Sequence, residues 1–226
     1  MIPVSLSGGV EPGARTGTSV SGRPVVVWRG QDGAVRAWAD RCPHRGMRLS
    51  FGFVRENALT CIYHGWSFGV TDESGGDGRC IAIPAHPGMT PPAKASVAAL
   101  PVAEALGMIW VGTGPGDIAL PHDALRHSEA VHPVRSVTVH APAAALGSAL
   151  EATLPPGTET AETTEAGGGL VTFKGPAARV TAAIQDRGDG ASTAHVVTTA
   201  ADTAHRKALC LWAALVRDHL AAVVLP

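Results

Sequence analysis

Cys42 and His44, then Cys61 and His64, are the residues whose types and spacing could do chemistry. They lie in Cys42-Pro43-His44-Arg45-Gly46 and in Cys61-Ile62-Tyr63-His64-Gly65-Trp66, with 16 residues between His44 and Cys61. Two thiolates and two imidazoles on two short loops make a metal site the leading reading. Cys42 and His44 are only two positions apart. On one ion they would form a tight, strained chelate, whereas a zinc site spaces its paired ligands by about two to four residues. Two irons relieve the strain: Cys42 and Cys61 hold one, His44 and His64 the other.

This pattern, with Pro43, Arg45 and Gly46 on one flank and Tyr63, Gly65 and Trp66 on the other, resembles the Rieske [2Fe-2S] domain of the Rieske non-haem iron (ring-hydroxylating type) oxygenase family. The resemblance covers residues 1–115. It implies a cluster bound by Cys42, His44, Cys61 and His64 in a small antiparallel β domain. It also implies the kind of site. High-potential Rieske proteins carry a further cysteine after each ligand pair, joined as a disulfide, and a serine bonded to a cluster sulfide. The corresponding positions here hold Met47, Tyr63 and Trp66. With fewer hydrogen bonds to the sulfurs, the potential is expected at the low end of the Rieske range, about −150 mV.

The elements that must position these loops are legible as short strands. Val25 to Arg29 is a β-branched run, Gln31-Asp32-Gly33 a turn, and Ala34 to Trp38 an answering strand. Trp28 and Trp38 read as core. Strands are expected at Leu49–Val54, Ala58–Thr60 and Ser67–Val70, with a solvated loop at Thr71–Gly78. Cys80-Ile81-Ala82-Ile83-Pro84 matches the C-x-x-I-P that closes this segment in the family, and Cys80 reads as a buried strand thiol. The last strands are placed between Val97 and Val111, with a boundary at Gly112–Gly116.

Residues 116–226 are expected to form a small α+β domain resembling a truncated helix-grip catalytic domain, so that the chain as a whole is mainly β. Ser136–His140 reads as a strand. Pro142 starts a helix over Ala143–Thr153. Residues 155–169, rich in Thr, Glu and Gly, read as a long mobile loop. Strands follow at 170–174, 178–186 and 192–199, with a turn at Arg187–Gly190. Asp202 or Thr203 caps a helix carrying Leu209, Trp212, Val216 and Leu220, although Ala208–Trp212 also fits a strand. Cys210 reads as core.

Family oxygenases hold a mononuclear iron with two histidines and a carboxylate. The stretch where those histidines belong, Leu150 to Glu159, contains neither histidine nor aspartate, and Pro155-Pro156 would break a ligand-bearing helix. His122, His127 and His132 come too early, between Pro121 and Pro133. Steps of five residues turn by about 140° on a helix, so the three share no face. They read as linker histidines, and mononuclear Fe(II) is not expected in this chain.

Composition bounds the partners. With 226 residues and a formal net charge of −1, nothing biases the chain toward nucleic acid or anionic lipid. No apolar run is long enough to span a membrane, and Met1-Ile2-Pro3 opens no secretory leader. A cytoplasmic protein is expected, without a Cys80–Cys210 disulfide. The resemblance then implies an electron-transfer subunit, fed by an NAD(P)H-dependent reductase or a ferredoxin and joined in a hetero-oligomer to an iron-bearing oxygenase subunit. The alternative is a complete small oxygenase, a hydroxylase or demethylase, with a rearranged iron site.

Overall fold

The structure, a computed structural model, describes residues 1–71, 78–114, 116–120, 129–164, 169–176 and 178–224. Its central strand is β3 (Arg23–Arg29), in which Val25 to Trp28 are all buried. A strand buried on both faces must serve two cores, and the pleat sends alternate side chains to each. Val25 and Val27 face a three-stranded sheet of β1 (Ile2–Leu6), β12 (Met108–Val111) and β11 (Val102–Ala105), packing with Val4, Ile109 and Val111. Val26 and Trp28 face the other way, toward Leu59 and Phe68. Beside β3 lie β2 (Arg15–Val20) and β4 (Val35–Ala39), with β10 (Ala99–Leu100) on the outer edge of β4. The β3–β4 pair is the hairpin expected from sequence.

The sheet that carries the ligand loops runs in chain order: β5 (Phe53–Arg55), β6 (Ala58–Thr60), β7 (Ser67–Gly69), β8 (Gly78–Ala82) and β9 (Ser96–Val97). Leu59, Phe68 and Cys80 turn inward onto Trp28 and Trp38, whose rings meet edge to face at 4.8 Å. Cys80 is thus the buried strand thiol expected. Leu49 to Phe51 is a 3-10 turn rather than the start of a strand, because Leu49 must drop into the core while Phe51 stays exposed. Most of the expected Thr71–Gly78 loop, residues 72–77, lies outside the described residues.

The remaining chain forms one antiparallel sheet, β13-β17-β16-β15-β14, built from β13 (His132–Val139), β14 (Thr160–Thr164), β15 (Leu170–Lys174), β16 (Arg179–Asp186) and β17 (Ser192–Thr198). Two helices cover one face: α1 (Ala143–Ala152) and α2 (Thr203–Val224). Asp202 caps α2, its carboxylate accepting the His205 N–H at 2.7 Å. Leu209, Trp212, Val216 and Leu220 recur at helical spacing and are all buried against Phe173, Val180 and Leu150. Ala208–Trp212 is therefore helix, not strand.

Three further expectations need correction. The stretch read as a loop over 155–169 contains β14, whose threonines suit an edge strand and pair with β15 in full register; residues 165–168 lie outside the described residues. β13 begins at His132, earlier than Ser136, and a register shift between Pro133 and Arg135 accommodates the proline on this edge strand. Cys210 is half-buried, its thiol 3.5 Å from the Val134 carbonyl, because it sits at the flank of the α2 apolar stripe.

The two halves meet along a seam. Met1, Met108 and Trp110 share a core with Leu170, Ala183 and Val197. Gln185 donates its amide to Thr18 Oγ1 at 2.8 Å and to the Ser19 carbonyl at 2.7 Å, and Ser19 Oγ donates to the Arg187 carbonyl at 2.6 Å. A Cβ on Gly188 would lie 2.3 Å from the Gly22 nitrogen, so the β16–β17 turn rests backbone on backbone against the β2–β3 turn. Among the described residues, no helix is long and apolar enough to cross a membrane.

Candidate metal centre

The two ligand loops have the same backbone. The Cys42 N–H donates to the Met47 carbonyl at 2.8 Å, and the Gly46 N–H returns to the Cys42 carbonyl at 2.9 Å. In the second loop the Cys61 N–H donates to the Trp66 carbonyl at 2.9 Å, and the Gly65 N–H returns to the Cys61 carbonyl at 3.0 Å. Each loop needs a left-handed residue to close, and glycine supplies it: φ is 75° at Gly46 and 70° at Gly65. The histidines differ by one position, His44 two residues after its cysteine and His64 three after its own. Pro84 packs over Gly65, where a Cβ would come within 2.9 Å of its ring.

Burial sorts the four candidate ligands into two classes. Cys42 and Cys61 are each 2% exposed and belong to the tryptophan-lined core, whereas His44 is half-buried and His64 exposed. The thiols therefore point inward and the imidazoles toward the surface. Burial pushes the Cys42 thiol up to about 11, with the Cys61 thiol beside it adding to the rise. A bound iron would supply positive charge beside that thiol and favour its thiolate form. Burial also lowers the His44 imidazole, and the charges of His64 and Arg45 act in the same direction.

The imidazole rings are fixed by stacking. The His44 and His64 centroids lie 4.6 Å apart. Trp66 stacks flat on His44, 4.4 Å away with planes 4° apart, and Tyr63 lies 3.9 Å from His64. Trp66 is half-buried and packs into the same core, so it props up His44. Arg45 is exposed on the rim. The Nδ1 of His44 is shielded from solvent and has no hydrogen-bond partner. A buried nitrogen lone pair without a donor fits a metal ligand. Among the described residues no group of three or more His, Cys, Asp or Glu could hold a single ion. The donor set fits a two-iron cluster, with thiolate and imidazole donors segregated, better than one tetrahedral zinc.

Sequence reasoning missed what closes the loops. Asp40 and Ser50 bracket the first: the Ser50 N–H and hydroxyl both donate to the Asp40 carboxylate at 2.7 Å. Thr60 and Ser67 bracket the second, their hydroxyls 2.9 Å apart. Each pair lies outside its loop, the first two residues before Cys42 and three after Met47, the second one residue before Cys61 and one after Trp66. Of the histidines read as linker, His122 and His127 lie outside the described residues, and His132 instead opens β13 in the sheet of the second half.

A short antiparallel sheet thus presents two matched Cys-His loops, and a second sheet gripped by a long helix follows it. Residues 1–101 match the Rieske [2Fe-2S] domain family, and the chain carries that domain, whose cofactor is a Rieske-type [2Fe-2S] cluster. Among curated proteins it is similar to the oxidoreductase NdmD of Pseudomonas putida, 42% identical over 106 residues, which is 46% of this chain and 17% of that one. It is also similar to the vanillate O-demethylase oxygenase subunit of Pseudomonas sp. (strain HR199 / DSM 7063), 40% identical over 111 residues, 49% of this chain and 28% of that one. These matches therefore span less than a third of the relatives' length. Among solved structures, dicamba monooxygenase bound to dicamba superposes with a TM-score of 0.75 at 19% identity, covering 99% of this chain and 84% of that one. NdmA of Pseudomonas putida CBB5 gives 0.72 at 18% identity, covering 97% and 79%. The whole chain thus shares the fold of these proteins.

Proposed function

We propose that this chain is the Rieske electron-transfer subunit of a non-haem iron oxygenase system. It takes electrons from a reductase or ferredoxin and passes them to a catalytic iron on a partner subunit. In this reading Cys42 and Cys61 hold one iron of the cluster as thiolates, and His44 and His64 hold the other. Residues 1–115 are the Rieske domain and residues 116–226 a shortened oxygenase-like domain, in a hetero-oligomer of the reducing cytoplasm.

The observation that carries the reading is the division of the site into a dry side and a wet side. Buried thiols anchor one end in the core, while His64 stands exposed. When bound, the cluster supplies a one-electron couple. The chain's own residues hold it, keep water from its sulfur side through Trp38, Leu59 and Phe68, and leave the imidazole edge open to a partner. The catalytic iron is assigned elsewhere because α1 ends at Ala152, Pro155-Pro156 follows, and Leu150 to Glu159 offers neither histidine nor aspartate.

A specific observation favours the second reading, a complete small oxygenase. Beneath α1 lies a cavity of about 450 Å³ lined by Ile2, Ala144, Glu151, Thr163, Ile184 and Asp186, large enough for a small ligand. Iron analysis separates the two. The carrier holds about two irons per chain and, with a competent reductase, forms no oxygenated product alone. A third iron with O2-coupled product would overturn it.

Arg45 stands exposed beside His44 and is assigned to partner docking. Arg45→Ala is expected to slow electron transfer in the assembled system by about three- to tenfold at low salt, since rim charges act mainly on association rate. Stopped-flow bleaching of the cluster would show it. An unchanged rate at low salt would remove Arg45 from the docking face.

A further inference from the structure

His195 lies on β17 in the second half and is 3% exposed. Its ring belongs to a chain of hydrogen bonds that crosses the seam. Ser136 Oγ lies 2.8 Å from Nδ1, and Gln185 Oε1 lies 3.3 Å from Nε2. The Gln185 amide nitrogen then reaches Thr18 and Ser19 on β2 in the first half.

This chain fixes where the ring hydrogen sits. The Ser19 carbonyl can only accept, so it faces the nitrogen of the Gln185 amide and the oxygen must face His195. An amide oxygen also only accepts, so Nε2 carries the hydrogen. The neutral ring then has a bare Nδ1, and the Ser136 hydroxyl donates to it. Each bond across the seam depends on the one before.

The surroundings of the ring are neutral. On its own face it meets Ser136 and Thr138 of β13, Ala183 and Gln185 of β16, and Thr193 and Val197 of β17. Strand β1, packed against β16 and β17, has no ionisable side chain, and the Met1 amino group ahead of it is paired with Asp117. The charged groups of the flanking strands sit at their ends or on the helix side. Arg179 is paired with Glu129, Arg135 donates to the Cys210 carbonyl of α2, and His132, His140 and Asp186 lie at strand termini. Arg187, in the β16–β17 turn, is the charge that His195 feels, and it is positive. Burial first, and Arg187 second, hold the imidazole down at about 4.

We propose that the seam is a proton-sensitive joint: one proton taken from solvent by His195 breaks the relay, Gln185 releases Thr18 and Ser19, and the two halves loosen from each other. The sign follows from the folded value lying below the ordinary 6.5. The unfolded chain binds the proton more readily, so the joint is intact above about pH 6.5 and weakens as pH falls toward 4. At pH 5, His195 alone lowers the ratio of folded to unfolded chain by about thirtyfold.

The test is urea unfolding of the full chain at pH 7.5 and 5.0, unmodified and as His195→Gln. The introduced amide can donate to Gln185 and takes up no proton. Every other titrating group is common to both proteins and cancels in the comparison. Between the two pH values the unmodified chain should lose about thirtyfold more in folding equilibrium than His195→Gln. Losses equal within about threefold overturn the joint. Amide exchange at pH 5.0 locates the opening. Exchange faster in the unmodified chain than in His195→Gln, concentrated in β2 and β16, supports the proposal, and an excess spread evenly over α2 and both sheets overturns it. If His195→Gln does not fold, nitrogen NMR of the unmodified imidazoles decides. A ring that stays neutral with a bare Nδ1 down to pH 5 supports the joint, and rings that all charge near 6.5 overturn it.

Discussion

Replacing His64 by alanine is expected to abolish the cluster. Iron should fall from about two per chain to near none, taking the visible absorption and the rhombic paramagnetic signal with it. The reason lies in the partition of the site. Cys42 and Cys61 are held in an apolar core, and burial raises the Cys42 thiol to about 11. Iron bound beside that thiol would favour its thiolate form. Without His64 the chain would offer the cluster one imidazole, His44, in place of two, at the side of the site that is open to solvent. His86→Ala is the control: His86 is exposed and lies outside both loops, and its loss should leave the spectrum unchanged. A His64→Ala protein with a full spectrum would remove the ligand assignment.

The second large effect concerns stability. Trp212→Ala is expected to destabilise the chain by about 3–5 kcal/mol. Trp212 is 4% exposed, meets Phe173 edge to face at 5.5 Å, and donates its indole N–H to the Thr153 carbonyl at 2.7 Å. One side chain thus ties α2 to the sheet and to the end of α1. Trp212→Phe keeps the ring contact and loses the hydrogen bond, so it should cost about 1 kcal/mol plus a small packing term. Urea unfolding of both variants gives the comparison. A Trp212→Ala chain as stable as the unmodified one would mean that α2 does not depend on this face.

The ligand loops were legible because chemistry fixes both residue type and spacing. Cys42, His44, Cys61 and His64 stood out as candidate ligands by type and spacing, and the structure places them on two matched loops. The hairpin of β3 and β4 was legible for a different reason: Val25-Val26-Val27 has few other uses, and Gln31-Asp32-Gly33 turns it back. The α2 stripe of Leu209, Trp212, Val216 and Leu220 showed the helical period, and burial follows it. Where the reading failed, the deciding contacts are long-range. The threonines of β14 look like loop until Leu170–Lys174 pairs with them. Asp40 and Ser50 are ten apart, ordinary polar residues until the loop between them closes. The seam has no local signature at all, since Gln185 and Thr18 are separated by 167 positions.

That seam bears on anyone who would use the Rieske half as an interchangeable electron-delivery cassette. A cut at Gly112–Gly116 leaves every candidate ligand in place and both loops closed. It also strips from Met108 and Trp110, which are 0% and 1% exposed, the Leu170, Ala183 and Val197 that share their core. The excised half would present a bare tryptophan and methionine where a free-standing ferredoxin needs polar skin. Transplanting the first half therefore means repainting that surface first, or moving both halves together.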